Sequence, residues 1–314
     1  MGAPGLDFSD LGKHEPKSRT LSDVIMPVPF QLSSSPSDFP RRIVCLTDET
    51  VEVLYLLGEQ DRIVGVSGYA KRPPEVRSKP RVSAFRDANI EAILDLKPDL
   101  ILTFSDVQAE ITRNLVLRGA AVLNFNQRSI AEIFDMISVL ARLVGKPDEG
   151  RALNEKLQSG LHEIEASAWK FPRRPRVFFE EWNDPLISGI RWVEELISIA
   201  GGDPIFPELR ACGKAQNRVV DPSAVIARDP EVILASWCGM KVSIDFIRAR
   251  PGWASTSAVR NGHIYEIPST CILQPGPASL TEGVRQLHAV IARIVGAEVT
   301  PELRPTEFGS TCLL

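Results

Sequence analysis

The sequence predicts an α/β protein with two lobes, and three observations support this class. The chain has 314 residues, which exceeds one typical core and suits two domains of about 100 to 150 residues each. From Arg41 onward, short apolar runs alternate with longer segments of helical period, the pattern of βα units around a mainly parallel sheet. One layout occurs twice, at 90–106 and 222–239: an amphipathic helix, a turn of proline and an acidic residue, and an apolar strand. We therefore expect two related lobes, each with its own sheet.

The individual elements follow from the spacing of apolar residues. Apolar runs predict strands at 63–68, 100–104 and 120–125 in the first lobe and at 176–182, 231–237 and 263–267 in the second. Segments 129–145 and 149–171 have helical period, and Gly145 and Pro147 between them are typical of a helix stop and restart. The second of these helices would span over ~30 Å at ~1.5 Å per residue, enough to join two lobes.

These assignments predict five regions. They are a weakly ordered N-terminal extension at 1–40, an N-terminal α/β lobe at 41–146, a connecting helix at 147–172, a C-terminal α/β lobe at 173–297 and a tail at 298–314.

Composition excludes several classes of function. The net charge is −4, with 36 basic and 40 acidic residues, so a basic surface for nucleic acid is not expected. Five cysteines without CxxC spacing argue against a disulfide framework or a structural zinc site. A small molecule or another protein is the expected partner.

The sequence also bears on location. No run approaches the roughly 18 apolar residues that cross a bilayer, so no membrane span is expected. The first 40 residues show no apolar core of a secretory signal, which predicts a cytoplasmic protein, or a periplasmic one if the native start lies elsewhere.

A ligand cleft is predicted where the strands end. In open α/β sheets, ligands bind beyond the carboxyl ends of the strands. Aromatic residues recur at these ends although they make up only 7% of the chain, which suits a flat, partly apolar ligand. The candidate ligand-binding residues are Tyr69, Phe85, Phe104, Arg128, Glu181, Trp182, Trp192, Trp237, Cys238, Cys271 and Gln274.

Three of these candidates have an alternative interpretation. Glu181 is expected either to accept hydrogen bonds from ligand amides or to form a salt bridge with Arg191 or another arginine of the cleft. Arg128 either meets a ligand anion or is exposed to solvent. Trp192 either lines the pocket or begins the apolar stripe of a helix.

A catalytic interpretation centres on Cys238. With Cys271 and Glu181 it would form a thiol or metal-dependent active site. No histidine is placed where it would act as a base for Cys238, and we therefore expect no catalysis and no metal site. Packed or pocket-lining cysteines are the simpler interpretation.

Five segments resemble a known family. They are "TDETVEVLYLLGEQDRIVGVSGYAKRPPEV", "VSAFRDANIEAILDLKPDLIL", "PLISGIRWVEELISIAGG", "DPSAVIARDPEVIL" and "RPGWASTSAVRNGHIYEI", which together cover about residues 42 to 295. They resemble the helical-backbone class (class III) of periplasmic-binding-protein-like proteins, in the cobalamin and iron-siderophore branch of ABC-transporter substrate-binding proteins. The cobalamin-binding proteins are the most similar, judged by "GVSGYAKRPP" and "LKPDLIL".

The resemblance implies two Rossmann-like lobes, one long connecting helix and a ligand held between the lobes without chemistry. It implies that Tyr69, Phe85 and Phe104 occupy aromatic pocket positions and that Glu181 and residues 270–274 fall where further pocket residues lie. It also implies docking to a permease through a glutamate on each lobe. Glu91 matches the first glutamate, whereas the second position falls near Ser223, with Asp221 as the nearest carboxylate.

We therefore expect a substrate-binding or carrier protein for a corrinoid such as cobalamin. The alternatives are an iron-siderophore or haem-binding protein on the same fold, and the thiol or metal-dependent enzyme. An ABC permease is a possible partner, although only one of the two docking glutamates is matched.

Overall fold

The computed structural model describes residues 38–306 of the 314-residue chain. Most of the predicted N-terminal extension, at 1–37, and the end of the predicted tail, at 307–314, lie outside the described residues.

The first lobe is a five-stranded parallel sheet in the order β3-β2-β1-β4-β5 with helices on both faces. Its elements are β1 (Ile43–Cys45), α1 (Asp48–Leu56), β2 (Ile63–Ser67), β3 (Arg81–Ser83), α2 (Ile90–Asp95), β4 (Leu100–Phe104), α3 (Ala109–Leu117), β5 (Val122–Phe125) and α4 (Ile130–Leu143).

The central strands of this sheet are apolar on both faces because helices cover both faces. Ile43 and Cys45 of β1 belong to one apolar cluster, whereas Val44 between them belongs to another on the opposite face. All three residues are fully buried. The continuous apolar runs that predicted strands in the sequence follow from this two-sided burial.

One long helix, α5 (Pro147–Ala168), leads from the first lobe to the second. Pro147 occupies its first turn, as the sequence predicts, and Gly145 before it has a positive φ of 76°. Leu157, Leu161, Ile164 and Ala168 are buried at helical spacing, so one stripe of the helix packs on the core. Its 22 residues span about 33 Å.

The second lobe has its own five-stranded sheet. The order is β10-β9-β6-β7, with β8 also paired to β6, and only the β6–β7 pair is antiparallel. The elements are β6 (Arg176–Asn183), β7 (Leu186–Ser188), α6 (Arg191–Ile199), β8 (Asp203–Pro204), α7 (Pro222–Arg228), β9 (Val232–Ala235), α8 (Ile244–Arg248), α9 (Ser257–Arg260), β10 (Ile264–Glu266), α10 (Ser269–Ile272) and α11 (Val284–Val295).

The repeated layout in the sequence corresponds to a repeated hydrogen-bond pattern. Arg42, before β1, donates from Nε to the carbonyls of the two residues after α2. Arg176, at the start of β6, donates in the same way to the carbonyls of Arg228 and Asp229 at the end of α7. Asp99 accepts the backbone N–H of Arg42 (2.9 Å), and Glu231 accepts that of Arg176 (3.1 Å). Each lobe therefore ties its repeated helix to its first strand in the same way.

The turn between helix and strand is also repeated in the two lobes. Lys97 and Asp229 each adopt a positive φ, of 50° and 44°, and each precedes a proline. The left-handed conformation ends the helix and directs the chain into the next strand. The protein is therefore a two-lobed α/β fold with one connecting helix, as the sequence predicts.

Candidate functional site

The carboxyl ends of both sheets meet at the junction of the lobes, which we call the cleft. Tyr69, after β2, is 48% exposed and lies against the turn that follows β9. A Cβ atom added to Gly239 in that turn would lie 3.9 Å from Cε1 of Tyr69. Gly239 has a φ of 75°, a left-handed conformation that lets the chain turn sharply out of the sheet at this glycine.

A charged group bridges the lobes at one side of the cleft. Arg128 donates from Nη2 to Oδ1 of Asp106 (2.9 Å), and Nζ of Lys214 in the second lobe lies 3.9 Å from Oδ2 of the same carboxylate. The guanidinium of Arg128 also lies over the ring of Phe104, 5.3 Å from its centre. Phe104 is only 5% exposed, so Arg128 covers it. Arg128 thus pairs with a carboxylate of the protein, and its predicted contact with a ligand anion stays a prediction.

Glu181 forms a two-point ion pair with Arg218. Its Oε2 and Oε1 accept hydrogen bonds from Nη1 (2.7 Å) and Nη2 (2.9 Å), and Arg218 is 1% exposed. Arg191, the partner named first from the sequence, pairs instead with Glu195 (2.8 Å). Arg218 lies in a 3₁₀ turn of the irregular segment 205–220, and no pattern in the sequence indicated it.

Glu180 faces the other side of the strand and is fully buried. Its carboxylate receives two hydrogen bonds from Arg250 (2.5 and 2.8 Å) and one from Nε1 of Trp237 (3.0 Å). Burial raises the pKa of Glu180, and the bonds from Arg250 and Trp237 act in the opposite direction. Trp237 is 3% exposed and packs edge-to-face on Phe246, so its ring belongs to the core behind the cleft.

The other predicted site residues are mostly packed within the lobes. Trp192 is 3% exposed, and its Nε1 donates to the last carbonyl of α10 (3.0 Å). Trp182 is partly buried and donates to a backbone carbonyl two residues ahead (2.9 Å). Cys271 is 2% exposed, whereas Phe85 and Gln274 are partly buried. Their contact with a ligand stays a prediction.

Three carboxylates that the sequence analysis missed occupy the start of α1. They are Asp48, Glu49 and Glu52, which follow the carboxyl end of β1 and face the second lobe. Burial raises the pKa of Asp48 to about 7, with the charge of Glu52 adding to the effect and Lys71 opposing it. Burial also raises the pKa of Glu49 to about 7 and raises that of Glu52. The signal was the acidic string "DETVE" directly after a strand, which resembles the ordinary acidic first turn of a helix.

A segment of the second lobe is hydrogen-bonded to this corner. Oε2 of Glu52 accepts the backbone N–H of Ala278 (2.8 Å), and Nε2 of Gln127, after β5, donates to the carbonyl of Pro275 (3.1 Å). The segment Pro275–Pro277, which precedes the last helix, thus contacts the first lobe.

Cys238 is exposed, yet its pKa is raised. Partial desolvation of the thiol is the main cause, followed by the negative charges of Glu181 and Asp48. A raised pKa disfavours the thiolate that a nucleophile or metal ligand needs. All four cysteines within residues 38–306 are free, and that part of the chain contains no group of three His, Cys, Asp or Glu side chains arranged for a metal ion.

Both candidate docking carboxylates are on the surface. Glu91 forms a two-point ion pair with Arg118 (2.5 and 3.0 Å), with 67% of its side chain exposed. Asp221 is exposed and caps α7 by accepting the N–H of Ser223 (2.7 Å). Each carboxylate already has a partner within the chain.

A separate surface cavity of about 570 Å³ lies near the C-terminal end of α1 and includes Tyr55 and Glu75 in its lining. It shares no residue with the cleft. None of the helices within residues 38–306 is both long and apolar enough to cross a membrane.

Most of this chain matches one known protein family. Residues 43–271 match the profile of a family described as periplasmic binding protein. The uncharacterized ABC transporter substrate-binding lipoprotein YvrC of Bacillus subtilis is 27% identical over 259 residues, 79% of each chain. A vitamin B12-binding protein of Vibrio cholerae is 27% identical over 248 residues, 77% of this chain and 86% of that protein.

Solved structures share the fold. The periplasmic vitamin B12 binding protein BtuF of Vibrio cholerae superposes with a TM-score of 0.65 at 25% identity, covering 81% of this chain and 98% of that one. The periplasmic heme-binding protein RhuT from Roseiflexus sp. RS-1 superposes with a TM-score of 0.70 at 23% identity, covering 81% and 99%.

Proposed function

This chain belongs to the periplasmic binding protein family, and we propose that it holds a corrinoid between its two lobes and releases it chemically unchanged. The family is one of solute-binding proteins, and the pKa of the exposed Cys238 thiol is raised, which disfavours a thiolate nucleophile and supports binding without catalysis. The choice of a corrinoid as the ligand is the more specific part of this proposal.

The observation that carries the proposal is the apolar rim of the cleft. Tyr69 of the first lobe is 48% exposed and contacts the turn of the second lobe that contains Met240, itself 51% exposed. Phe246, packed on Trp237 behind this turn, is 48% exposed. Large apolar side chains left exposed at a lobe junction are typical of a ligand-binding groove. They suit the apolar edge of a macrocycle.

The charges at the cleft favour a ligand that carries amides over one that carries carboxylates. Arg128 and Lys214 already lie against Asp106, and Arg218 is bound to Glu181. An anionic ligand would have to displace a protein carboxylate to reach these groups, at a cost in desolvation. The buried acidic residues at the start of α1 add further acceptors and no positive charge. The vitamin B12-binding relative supports the same choice.

The test is calorimetric titration of the purified protein with cobinamide, cobalamin, haem and a ferric siderophore, after its visible spectrum has been recorded as isolated. We expect one saturable corrinoid site and an affinity reduced about tenfold by Tyr69→Ala, the loss of one aromatic contact of about 1.4 kcal/mol. Tyr55→Ala, at the cavity away from the cleft, is the matched control and leaves the affinity unchanged. Heat with haem or siderophore and none with either corrinoid would reject the proposed ligand.

Location and partner form a second part of the proposal. The family and the lipoprotein relative favour a periplasmic or membrane-tethered protein over the cytoplasmic location expected from the sequence. We propose docking to a permease through Glu91 and Asp221. Glu91 would exchange its partner Arg118 for a basic residue of the permease. Arg118→Ala should therefore strengthen the binding of this protein to vesicles that contain the permease, and Glu91→Ala should weaken it.

A further inference from the structure

Glu49 is a buried carboxylate without a basic partner. It is 1% exposed, and within residues 38–306 no Lys or Arg forms an ion pair with it. Arg72, the arginine at this corner, contacts Glu52 instead (3.4 Å). A buried charge is normally neutralised by protonation, by an opposite charge or by a metal ion. Glu49 therefore needs one of these.

Two other buried side chains near Glu49 have oxygens without a partner. Oγ1 of Thr47, Oε1 of Glu49 and Oε1 of Gln127 form no hydrogen bond with any described group. Thr47 and Gln127 are 2% and 4% exposed, and both lie close enough to Glu49 to lower its pKa against the effect of burial. Two unpaired oxygens thus lie beside a buried carboxyl group that has an unpaired oxygen of its own.

The orientation of the Gln127 amide is determined by the second lobe. Its Nε2 donates to the carbonyl of Pro275, an acceptor, so the amide nitrogen points there and Oε1 is left for another donor. Any guest of the three oxygens is thereby linked to contact between the lobes.

The neighbouring backbone limits the size of a guest. A Cβ atom added to Gly276 would lie 2.6 Å from Cβ of Glu49 and 3.2 Å from its Cα. The glycine therefore packs directly on this helical turn, and the absence of a side chain at 276 is required for the contact. A single ion fits such a place better than an organic group.

We propose that Thr47, Glu49 and Gln127 form a binding site for one small monovalent cation of the Na⁺ class at the junction of the lobes. Hard cations prefer carboxylate, hydroxyl and amide oxygens, which are the three groups present. One carboxylate balances one positive charge. The ion stabilises the contact between the two lobes, because Gln127 donates a hydrogen bond to Pro275 and Glu49 packs against Gly276.

The other charged or titratable groups facing this corner are Asp48 and Glu52 on α1, Lys71 and Arg72 after β2, and Cys45 on β1. Burial raises the pKa of Cys45 to about 12, so its thiol stays neutral.

The experiment compares thermal unfolding of the full chain in NaCl and in tetramethylammonium chloride at equal ionic strength. Tetramethylammonium is too large for the site. At pH 8 we expect Na⁺ to raise the Tm by ~2 °C or more in a saturable manner. Glu49→Gln removes the rise, whereas Glu110→Gln, an exposed carboxylate on α3, retains it.

A second measurement serves if Glu49→Gln does not fold. Crystals grown at pH 8 in NaCl are expected to show a density peak at about 2.3–2.6 Å from Glu49 Oε1, a distance typical of a hard cation of this size and its oxygen ligands, and crystals grown in tetramethylammonium chloride are expected to lack it. Equal Tm values in the two salts, a rise that persists in Glu49→Gln, or a site without this peak in NaCl would each overturn the proposal. These results do not depend on which ligand the cleft binds.

Discussion

Replacing Glu49 by glutamine should change how the stability of the protein depends on pH. The pKa of this carboxyl is raised from 4.5 to about 7 in the folded protein, mainly by burial. Between these two values the folded state retains a proton that the unfolded chain releases. Stability therefore falls as the pH rises from about 4.5 to about 7 and is constant in this respect above that range.

The magnitude follows from the shift. At about 1.4 kcal/mol per pH unit, the wild-type protein loses about 3 kcal/mol of unfolding free energy through Glu49 across this range. Part of the loss lies below pH 5, so most of it falls in the interval from pH 5 to pH 8. The amide in Glu49→Gln does not titrate, so the pH dependence of the variant should be smaller by about 2–3 kcal/mol over this interval. Asp48 titrates in the same direction in both proteins.

The assay is urea unfolding of the wild-type protein and Glu49→Gln at pH 5 and pH 8, with tetramethylammonium as the only cation. The quantity of interest is the change in unfolding free energy between the two pH values, compared between the proteins. Exclusion of small cations matters because an ion bound to Glu49 would hide the cost of its charge. Equal pH dependence in the two proteins would refute the assignment of a raised pKa to Glu49.

Three further predictions concern the packing around the cleft. Arg250→Met leaves Glu180 buried without its ion-pair partner and should lower the free energy of urea unfolding by about 3–5 kcal/mol. Adding Glu180→Gln to this variant should restore most of that loss. If the losses of the two single variants instead add in the double variant, the ion pair does not act as described. Gly276→Ala should lower the free energy of unfolding by about 1–3 kcal/mol, because the new Cβ overlaps α1. Gly160→Ala lies inside α5 with open space around it and should raise the free energy of unfolding by up to about 1 kcal/mol. Similar effects of the two substitutions would show that packing is not the cause. Alkylation of Cys238 by iodoacetamide at pH 7, followed by mass spectrometry, should be slower than that of a free cysteine, and a faster reaction would reopen the thiol-enzyme hypothesis.

The regular elements were largely predictable because their signals are local. The strand predicted at 100–104 is β4, and the helix predicted at 149–171 overlaps α5 with small differences at its ends. The helix predicted at 129–145 is α4, which begins after Ser129 with a capping box between Ser129 and Glu132. Such features depend on residues a few positions apart, which a sequence displays directly.

The cleft was harder to predict because burial there depends on long-range contacts. Trp192 lies in the first turn of α6 and Trp237 follows β9, both at the edge of the sheet where the cleft lies. The second lobe nevertheless packs both rings into its core. Arg218 pairs with Glu181 across 37 positions of sequence, and the pattern of neither segment indicates the other. Polar side chains with distant partners cannot be assigned from local spacing.

The sequence alone determined the class of fold, the repeated plan of the two lobes and the edge at which a ligand is expected. These properties follow from apolar periodicity and from the turn residues that close each unit. Tertiary structure alone decided that the acidic start of α1 lies beneath the second lobe, where Gly276 and Pro275 exclude solvent from Glu49 and orient Gln127. The physical reason is that desolvation of a charge depends on every group packed around it, and one of these groups, Gly276, lies more than 200 residues from Glu49 in the sequence.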